Sequence, residues 1–421
     1  KFHPTDVMET GYDILFFWVA RMILMTTYTF SRFQIGKDES QRIPFKTVYL
    51  HGLVRTRDGS KMSKSHPETM IDPLDIIPKY GADALRMSMI VGQSPGNDQK
   101  LYEEKIAGYR NFVNKLWNAS RFVLMQCEQA GVDPKNLGYS GGNFSVISTE
   151  NGDVAATLSL ADRAILNGLQ DLIDDVSKGL ESYQLSEVGE KLYSFVWDYF
   201  CDWYLELSKG QSNLDVLITV FRTVLILLHP YCPFVTEELW ASIKPEGEDM
   251  LIRQAWPTSD KKLKDQSAQD DLQVTIDVIS AIRSIRADQG IDAGKKPSVI
   301  VHSSKADLLE QQREHIIRLG RLGELTIDAT PQKHEHAASV FLNDAEVHMF
   351  LEGLIDVEKE KEKLGKQQQK LAGFIKGINA KLDNPKFVEN AQEEIVNLER
   401  EKLANAEEKL KKVEERLQLL S

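Results

Sequence analysis

Cysteine is scarce in this 421-residue sequence, with only Cys127, Cys201 and Cys232. The count is odd and the spacing is not that of a zinc site, so neither a disulfide framework nor a cysteine-held metal is expected, and the thiols read as reduced. Cys201, beside Asp202 and Trp203 in an aromatic helix, reads as core. Positive charge is also short: 51 Lys and Arg stand against 63 Asp and Glu, a formal net charge of −12. A phosphate-rich partner must therefore meet locally gathered cations, while the surplus acid discourages indiscriminate binding. No apolar run approaches the ~20 residues that span a bilayer, and no secretory signal is visible, so a cytoplasmic protein without a membrane partner is expected. An initiator methionine is missing too, since the chain starts with Lys1. At this length two to four structural units are expected.

What is present is led by the run Asp58-Gly59-Ser60-Lys61-Met62-Ser63-Lys64-Ser65. Lys61 and Lys64 put two mobile ammonium groups beside an acceptor-rich anion, and Ser63 and Ser65 donate hydroxyl hydrogen bonds without bulk. A solvated basic turn has the same composition. The neighbours weigh toward phosphate, because an apolar stretch, Phe45 to Val54, reads as a buried parallel strand before the loop, and a helix follows near Ile76 to Arg86. Ligands of open α/β sheets bind at the carboxyl ends of such strands.

The loop resembles the KMSKS signature of class I aminoacyl-tRNA synthetases. Pro4 to Val7 and Thr10 to Ile23 are more similar to the valine members of that class than to the isoleucine, leucine or methionine members. The resemblance implies a multi-domain α/β plus all-α architecture. In this reading residues 1–57 are the later part of a Rossmann-like catalytic domain, 58–105 the KMSKS loop and a connector beside the tRNA stem, 106–264 a helical anticodon-binding bundle, 265–346 a small α/β linker, and 347–421 an antiparallel coiled-coil arm that binds tRNA.

It also implies the chemistry. ATP, accompanied by magnesium, activates valine to valyl-adenylate, and valine tRNA then accepts the valyl group. Lys61 and Lys64 would stabilise charge on the α-phosphate and the departing pyrophosphate, with Met62, Ser63 and Ser65 completing the ATP site. Asp13, Ile14 and Trp18 fall in the amino-acid and adenylate pocket, Asp13 as a polar contact and Trp18 as an apolar wall, although Trp18 also fits plain core packing. No resident cofactor or metal ligand is assigned, and a monomer is expected.

Two departures matter. The family's first nucleotide signature, of the form His-x-Gly-His, has no counterpart here, because His334-Glu335-His336 lacks the glycine and lies far downstream. The inserted editing domain is not found either. The chain is therefore expected to be a C-terminal fragment that is inactive alone. After the loop, His66 to Met70 stands where relatives have a glycine-asparagine pair. A ligase for isoleucine, or a non-enzymatic tRNA-binding coiled-coil protein, remains as an alternative.

Helical periodicity runs from about 106 to 258, with loops at 138–152 and 209–213. The first bundle helix carries Arg110, Asn111, Asn114, Lys115, Asn118, Arg121 and Phe122 on one face, with Phe112, Leu116, Trp117, Ala119 and Val123 turned inward. Asparagine is a poor mid-helix residue, so the face either bonds to neighbouring loops or meets unstacked anticodon bases, with Phe122 for stacking. The aromatics from Tyr193 to Tyr204 read as core, and His229 as a satisfied structural histidine. Arg283 and Arg286 share a helix face in the linker, either as a phosphate clamp or as an ordinary solvated surface. The C-terminal seam runs Phe350, Leu354, Val357, Lys361, Leu364, Gln368, Leu371, Ile375, Ile378 and Leu382; Asp383-Asn384-Pro385 breaks it. A return helix carries Leu403, Ala406, Leu410, Val413, Leu417 and Leu420, after a phase change near Ile395 and Leu398. At its turn end Lys370, Lys376, Lys381 and Lys386 surround a single Asp383, an excess suited to phosphate.

Overall fold

The computed structural model describes residues 3–35, 38–62, 70–137, 158–210, 213–332, 334, 337–351, 357–384 and 393–419. Ser63, Lys64, Ser65, His66, Glu335, His336, Leu354, Pro385, Lys386, Leu420 and the loop 138–152 thus lie outside the described residues. The chain divides into two compact units, Lys1–Gln273 and Val274–Ser421.

The first unit opens with strand β1 (Thr5–Gly11), a 3-10 turn (Tyr12–Ile14) and a wide helical turn (Leu15–Val19) that run on into helix α1 (Ala20–Arg32), and strand β2 (Phe45–His51). β1 and β2 are parallel, with Gly11 opposite His51 at their carboxyl ends. This is the strand–helix–strand unit expected of a doubly wound fold. One expectation is corrected here. Tyr12–Arg32 forms a 21-residue helix that is long and apolar enough, by length and composition only, to cross a membrane. Its apolar side chains are largely uncovered, Phe16 being 79% exposed and Phe17, Leu24, Met25 and Tyr28 also open. The helix exceeds the expected apolar run because it continues without a break through Tyr12 to Val19 into α1.

β3 (Val54–Arg55), α2 (Pro73–Tyr80), α3 (Ala82–Ile90) and β4 (Gln99–Lys100) form the connector, with β3 parallel to β4. Asp72 caps α2 by accepting from Leu74 N at 2.8 Å, and Pro73 occupies the first turn, where no amide donor is needed.

The bundle follows: α4 (Glu103–Gln129), α5 (Leu160–Glu181), α6 (Leu185–Ser194) running on through a wide turn at Phe195–Tyr204 into α7 (Leu205–Leu207), α8 (Leu214–Leu228) and α9 (Pro233–Ile243). α8 is apolar on every side and sits at the centre, with every residue from Val216 to Leu228 buried. Arg222 on it is 1% exposed. Its guanidinium donates to the carbonyls of Ile243, Leu137 and Pro134, closing the end of α9 and the Pro134–Asn136 turn with one side chain. The aromatic segment packs as expected, since Phe195, Phe200 and Tyr204 are buried and the Tyr204 hydroxyl donates to Asp162 at 2.8 Å. Cys201 has its thiol pushed up to about 12 by burial, so it carries no thiolate at neutral pH.

α3 grips the turn between α8 and α9. Asp83 is buried and accepts from Phe234 N and Val235 N, while Arg86 donates to the carbonyls of Pro230 and Tyr231. His229 stands in the same turn, 2.8 Å from Thr236 Oγ1 through Nδ1. Because Thr236 Oγ1 donates to Cys232 O, the imidazole Nδ1–H is the donor in that pair. Burial holds His229 below its ordinary value of 6.5.

In the second unit β5 (Ser298–Ser303), α11 (Ala306–Gln311), α12 (Arg313–Gly320), β6 (Glu324–Asp328), β7 (Ala337–Phe341) and β8 (Ala345–Phe350) follow α10 (Gln266–Asp288), within which the boundary falls. The sheet order is β6-β5-β8-β7, with β5 and β6 parallel and the other pairs antiparallel. Val299, Val301, Val347 and Met349 bury one face.

α13 (Val357–Leu382) and α14 (Glu393–Leu419) form the antiparallel hairpin. The seam of α14 differs from expectation. Val396, Glu399, Ala406 and Val413 are buried, with Leu403, Leu410 and Leu417 partly so, which is an unbroken three–four rhythm from Val396 onward. The phase change does not occur, and Leu398 faces out. A glutamate holds a seam position because Lys402 Nζ lies 2.8 Å and Lys381 Nζ 3.5 Å from its carboxylate. The lysine excess at the turn end is correspondingly smaller than the local sequence implied.

Two outcomes follow from this packing. Folding keeps His229 neutral, so the unfolded chain binds the extra proton in the window just below pH 6.5. Wild-type stability relative to His229→Gln therefore rises as pH increases through that window and flattens above it, as denaturant melts across a pH series will show. Glu399→Leu completes the apolar seam and raises amide-exchange protection along α13 and α14, whereas Glu399→Ala lowers it.

Candidate nucleotide and tRNA-binding site

The carboxyl ends of β1 and β2 place Gly11 and His51 side by side. Gly11 has no side chain where the Asp13 carboxylate lies; an added Cβ would stand 2.7 Å from Asp13 Oδ1 and 3.4 Å from the His51 ring. His51 turns Nδ1 to Gly52 O at 2.8 Å and its other nitrogen toward Glu9 at 3.4 Å. Asp13 is exposed, Ile14 is open, and Trp18 is 52% exposed, so Trp18 is not core packing among the described residues.

The base of the lysine loop is built next to this end of the sheet. Asp98 accepts from Leu53 N at 2.8 Å and from Arg55 Nε at 2.5 Å, and these contacts hold its carboxyl below the usual range. Tyr12, one residue before Asp13, interacts with the same Asp98 and Arg55 side chains. Gly52 allows the crossing of two backbones, since a Cβ there would sit 1.6 Å from Asn97 O. From Arg55 the chain makes a closed turn. Gly59 takes φ +92°, its N–H donates to Thr56 O, and Ser60 O accepts from Thr56 N at 3.0 Å. Asp58 is the hub, accepting from the Thr56 and Ser60 hydroxyls, which lower its pKa. Arg55 bridges to Lys61, so the exposed Lys61 and the half-buried Met62 leave the turn in a fixed direction.

On α4 the polar face is real, but its membership changes. Arg110, Asn111, Asn114, Asn118 and Arg121 are exposed. Trp117, expected to turn inward, is 43% exposed among them. Helical spacing places it one turn from Asn114 and from Arg121. Lys115 is engaged internally, 2.6 Å from Asp202 and 3.7 Å over the Trp197 ring. Phe122 packs partly against the core, with Lys209 near its ring at 5.8 Å. Arg110 stands over Tyr80 at 5.6 Å.

In the second unit Arg286 is 8% exposed. It donates to the carbonyls of Arg321, Asp292 and Lys295, so it closes backbone ends and is no surface phosphate clamp. Arg283 donates to Leu319 O at 3.2 Å. On the arm, Lys370 and Lys376 are exposed, Lys381 pairs with Glu399, and Phe374 stands open beside them. Sequence reasoning missed Trp117, Phe374, Gly52 and Asp98. Gly52, between an apolar strand and the loop, was the one with a visible signal.

Known proteins resemble this chain in several stretches. Residues 1–102 match the family described as tRNA synthetases class I (I, L, M and V). Residues 162–301 match the anticodon-binding domain of tRNA ligase, and residues 356–421 the valyl tRNA synthetase tRNA binding arm. The ternary complex of Agrobacterium radiobacter K84 LeuRS with tRNA and LeuAMS superposes with a TM-score of 0.51, covering 69% of this chain and 36% of that one, at 19% identity, a likeness of fold. The chain thus has the architecture of the class I tRNA synthetases.

The valine–tRNA ligases of Carboxydothermus hydrogenoformans and Clostridium acetobutylicum are each 37% identical to it, over 100% of this chain and 46% of their own length. That of Geobacillus kaustophilus is 36% identical over 99% of this chain and 46% of its own length. The chain belongs to the valine–tRNA ligase family, corresponding to its C-terminal portion, and it spans about half the length of these relatives.

The crossing at Gly52 gives a direct check. Gly52→Ala forces the backbone away from Asn97 and opens the β3–β4 ladder. Exchange of the Leu53 and Gln99 amides should rise about tenfold or more, with the α8 amides unchanged.

Proposed function

We propose that this chain supplies the phosphate-binding loop, the anticodon-reading bundle and the tRNA-binding arm of a cytoplasmic valine–tRNA ligase. The observation that carries the reading is the continuous similarity to valine–tRNA ligases along the whole chain, with the valyl-specific arm at its end. The substrates are ATP with magnesium, valine and valine tRNA. Lys61 and Lys64 meet the charge that develops on the α-phosphate and leaving pyrophosphate, electrostatic stabilisation that counts most in the transition state. Met62, Ser63 and Ser65 complete the loop, and Asp13, Ile14 and Trp18 line the amino-acid pocket at the strand ends. The rigid turn around Asp58 supports this, because it sets the direction in which the lysines leave.

The exposed face of α1 fits a catalytic domain whose other half packs over it, the part that the relatives carry in the length this chain does not cover. The chain as it stands therefore makes no valyl-adenylate.

For tRNA, the open residues of α4 are the candidates: Arg110, Asn111, Asn114 and Asn118 for base edges and Trp117 for stacking. Lys370, Lys376 and Phe374, with Lys381 and Lys386 at the turn, present the arm to the tRNA backbone. The protein acts as a monomer in this reading.

The test is equilibrium binding of this chain to valine tRNA with isoleucine tRNA as competitor at fixed salt, beside valine-dependent pyrophosphate exchange. Preferential binding of valine tRNA without exchange is expected, and Trp117→Ala should weaken binding about tenfold. Equal binding of both tRNAs would remove the identity role, and exchange by the chain alone would overturn the half-site reading.

A further inference from the structure

The second unit holds a polar cluster that the tRNA-ligase reading does not use. His302 on β5, His348 on β8 and His334 in the segment before β7 bring one ligand atom each within 4.8 Å of one another. His302 and His348 are buried, and they sit on the sheet face opposite the Val299, Val301 and Val347 core. The register puts Glu346 opposite His302 and Ser339 opposite His348 on that same face. His334 stacks parallel to His302 with ring centres 5.1 Å apart, and its centre is 4.9 Å from that of His348.

As a purely structural cluster this arrangement is poorly satisfied. The two Nε2 atoms of His302 and His334 are 2.8 Å apart and share at most one proton when both rings are neutral. His302 Nδ1 and His348 Nε2 are buried without a hydrogen-bond partner. Buried imidazole nitrogens rarely go unpaired, and three converging rings leave their lone pairs pointing at shared space. The surroundings also match a ligand sphere. His348 Nδ1 lies 2.7 Å from Ser339 Oγ, a contact that fixes the ring and leaves Nε2 directed into the cluster. The Glu346 carboxylate lies 3.5 Å from that Nε2. Phe341 and Phe350 flank the rings.

We propose that His302, His334 and His348 form a binding site for one divalent ion of the zinc class, with Glu346 or water as fourth ligand. Imidazole-rich, four-coordinate surroundings suit Zn²⁺. With Zn–N bonds of about 2.0–2.1 Å, tetrahedral nitrogens stand roughly 3.4 Å apart, so side-chain movements of roughly 1 Å close the site. The ion pins the segment bearing His334 to two neighbouring strands of the sheet. Cysteine spacing gives no hint of it, and the histidines are too dispersed along the chain for a sequence motif; His302 and His334 are 32 residues apart.

The experiment is titration of the chelator-stripped full chain with Co²⁺ and Zn²⁺ near neutral pH, followed by visible absorption and equilibrium dialysis. One equivalent of Co²⁺ with the intense bands of a tetrahedral site, displaced by Zn²⁺, is expected. His334→Ala, whose side chain lies outside any strand, and the double change His302→Gln with His348→Gln should each abolish the band. Ser339→Ala should weaken binding about 10–100-fold. Circular dichroism checks that each variant is folded. Absence of a stoichiometric band in the wild type, or a band that survives His334→Ala, would overturn the proposal. Neither outcome depends on tRNA or ATP, so the result is separate from the fate of the ligase reading.

Discussion

A buried carboxylate at a helix start holds the first unit together. Asp83 meets the free amides at the beginning of α9, where the helix dipole favours negative charge, while Arg86 on the same helix takes the preceding carbonyls. The polar groups of one turn are thus satisfied from a single neighbouring helix. Ser186 at the start of α6 accepts from Gly92 N and Gln93 N, and Gly189 lets α6 approach Val91 closely. The connector that carries the lysine loop cannot tilt against the bundle without leaving these groups unpaired in the interior, where an unmade hydrogen bond costs about 1–3 kcal/mol.

Much of this was legible in the residues. The glycine-started turn, the parallel strand before it, the apolar centre of the bundle and the heptads of the arm are all written in local pattern. What was not legible depends on groups far apart in sequence. Arg286 looks like a surface cation until the carbonyls of Asp292, Lys295 and Arg321 gather around it. Lys115 likewise belongs to Asp202 and Trp197. Trp117 was placed inward because tryptophan usually buries area, yet Leu116 and Phe112 already fill the inner side of α4 and leave it no room. Glu399 was left out of the seam because a carboxylate there makes sense only with Lys381 supplied from the other helix.

The apolar first helix teaches a related lesson about burial. Composition alone gives it the profile of a membrane segment, whereas its position between two parallel strands gives it the profile of a layer awaiting its cover. A hydrophobic surface of this kind reports the company an element keeps in the assembled domain. The same holds for Phe374 on the arm, which is 52% exposed.

The charged seam position has a consequence for where the arm ends. Glu399 finds Lys381 only when the two helices lie in one alignment, and sliding either by a heptad would part the carboxylate from that ammonium. The arm therefore behaves as a ruler with a fixed zero. The offset between its two helices is set by this one pair, and every contact further along the seam is counted from it.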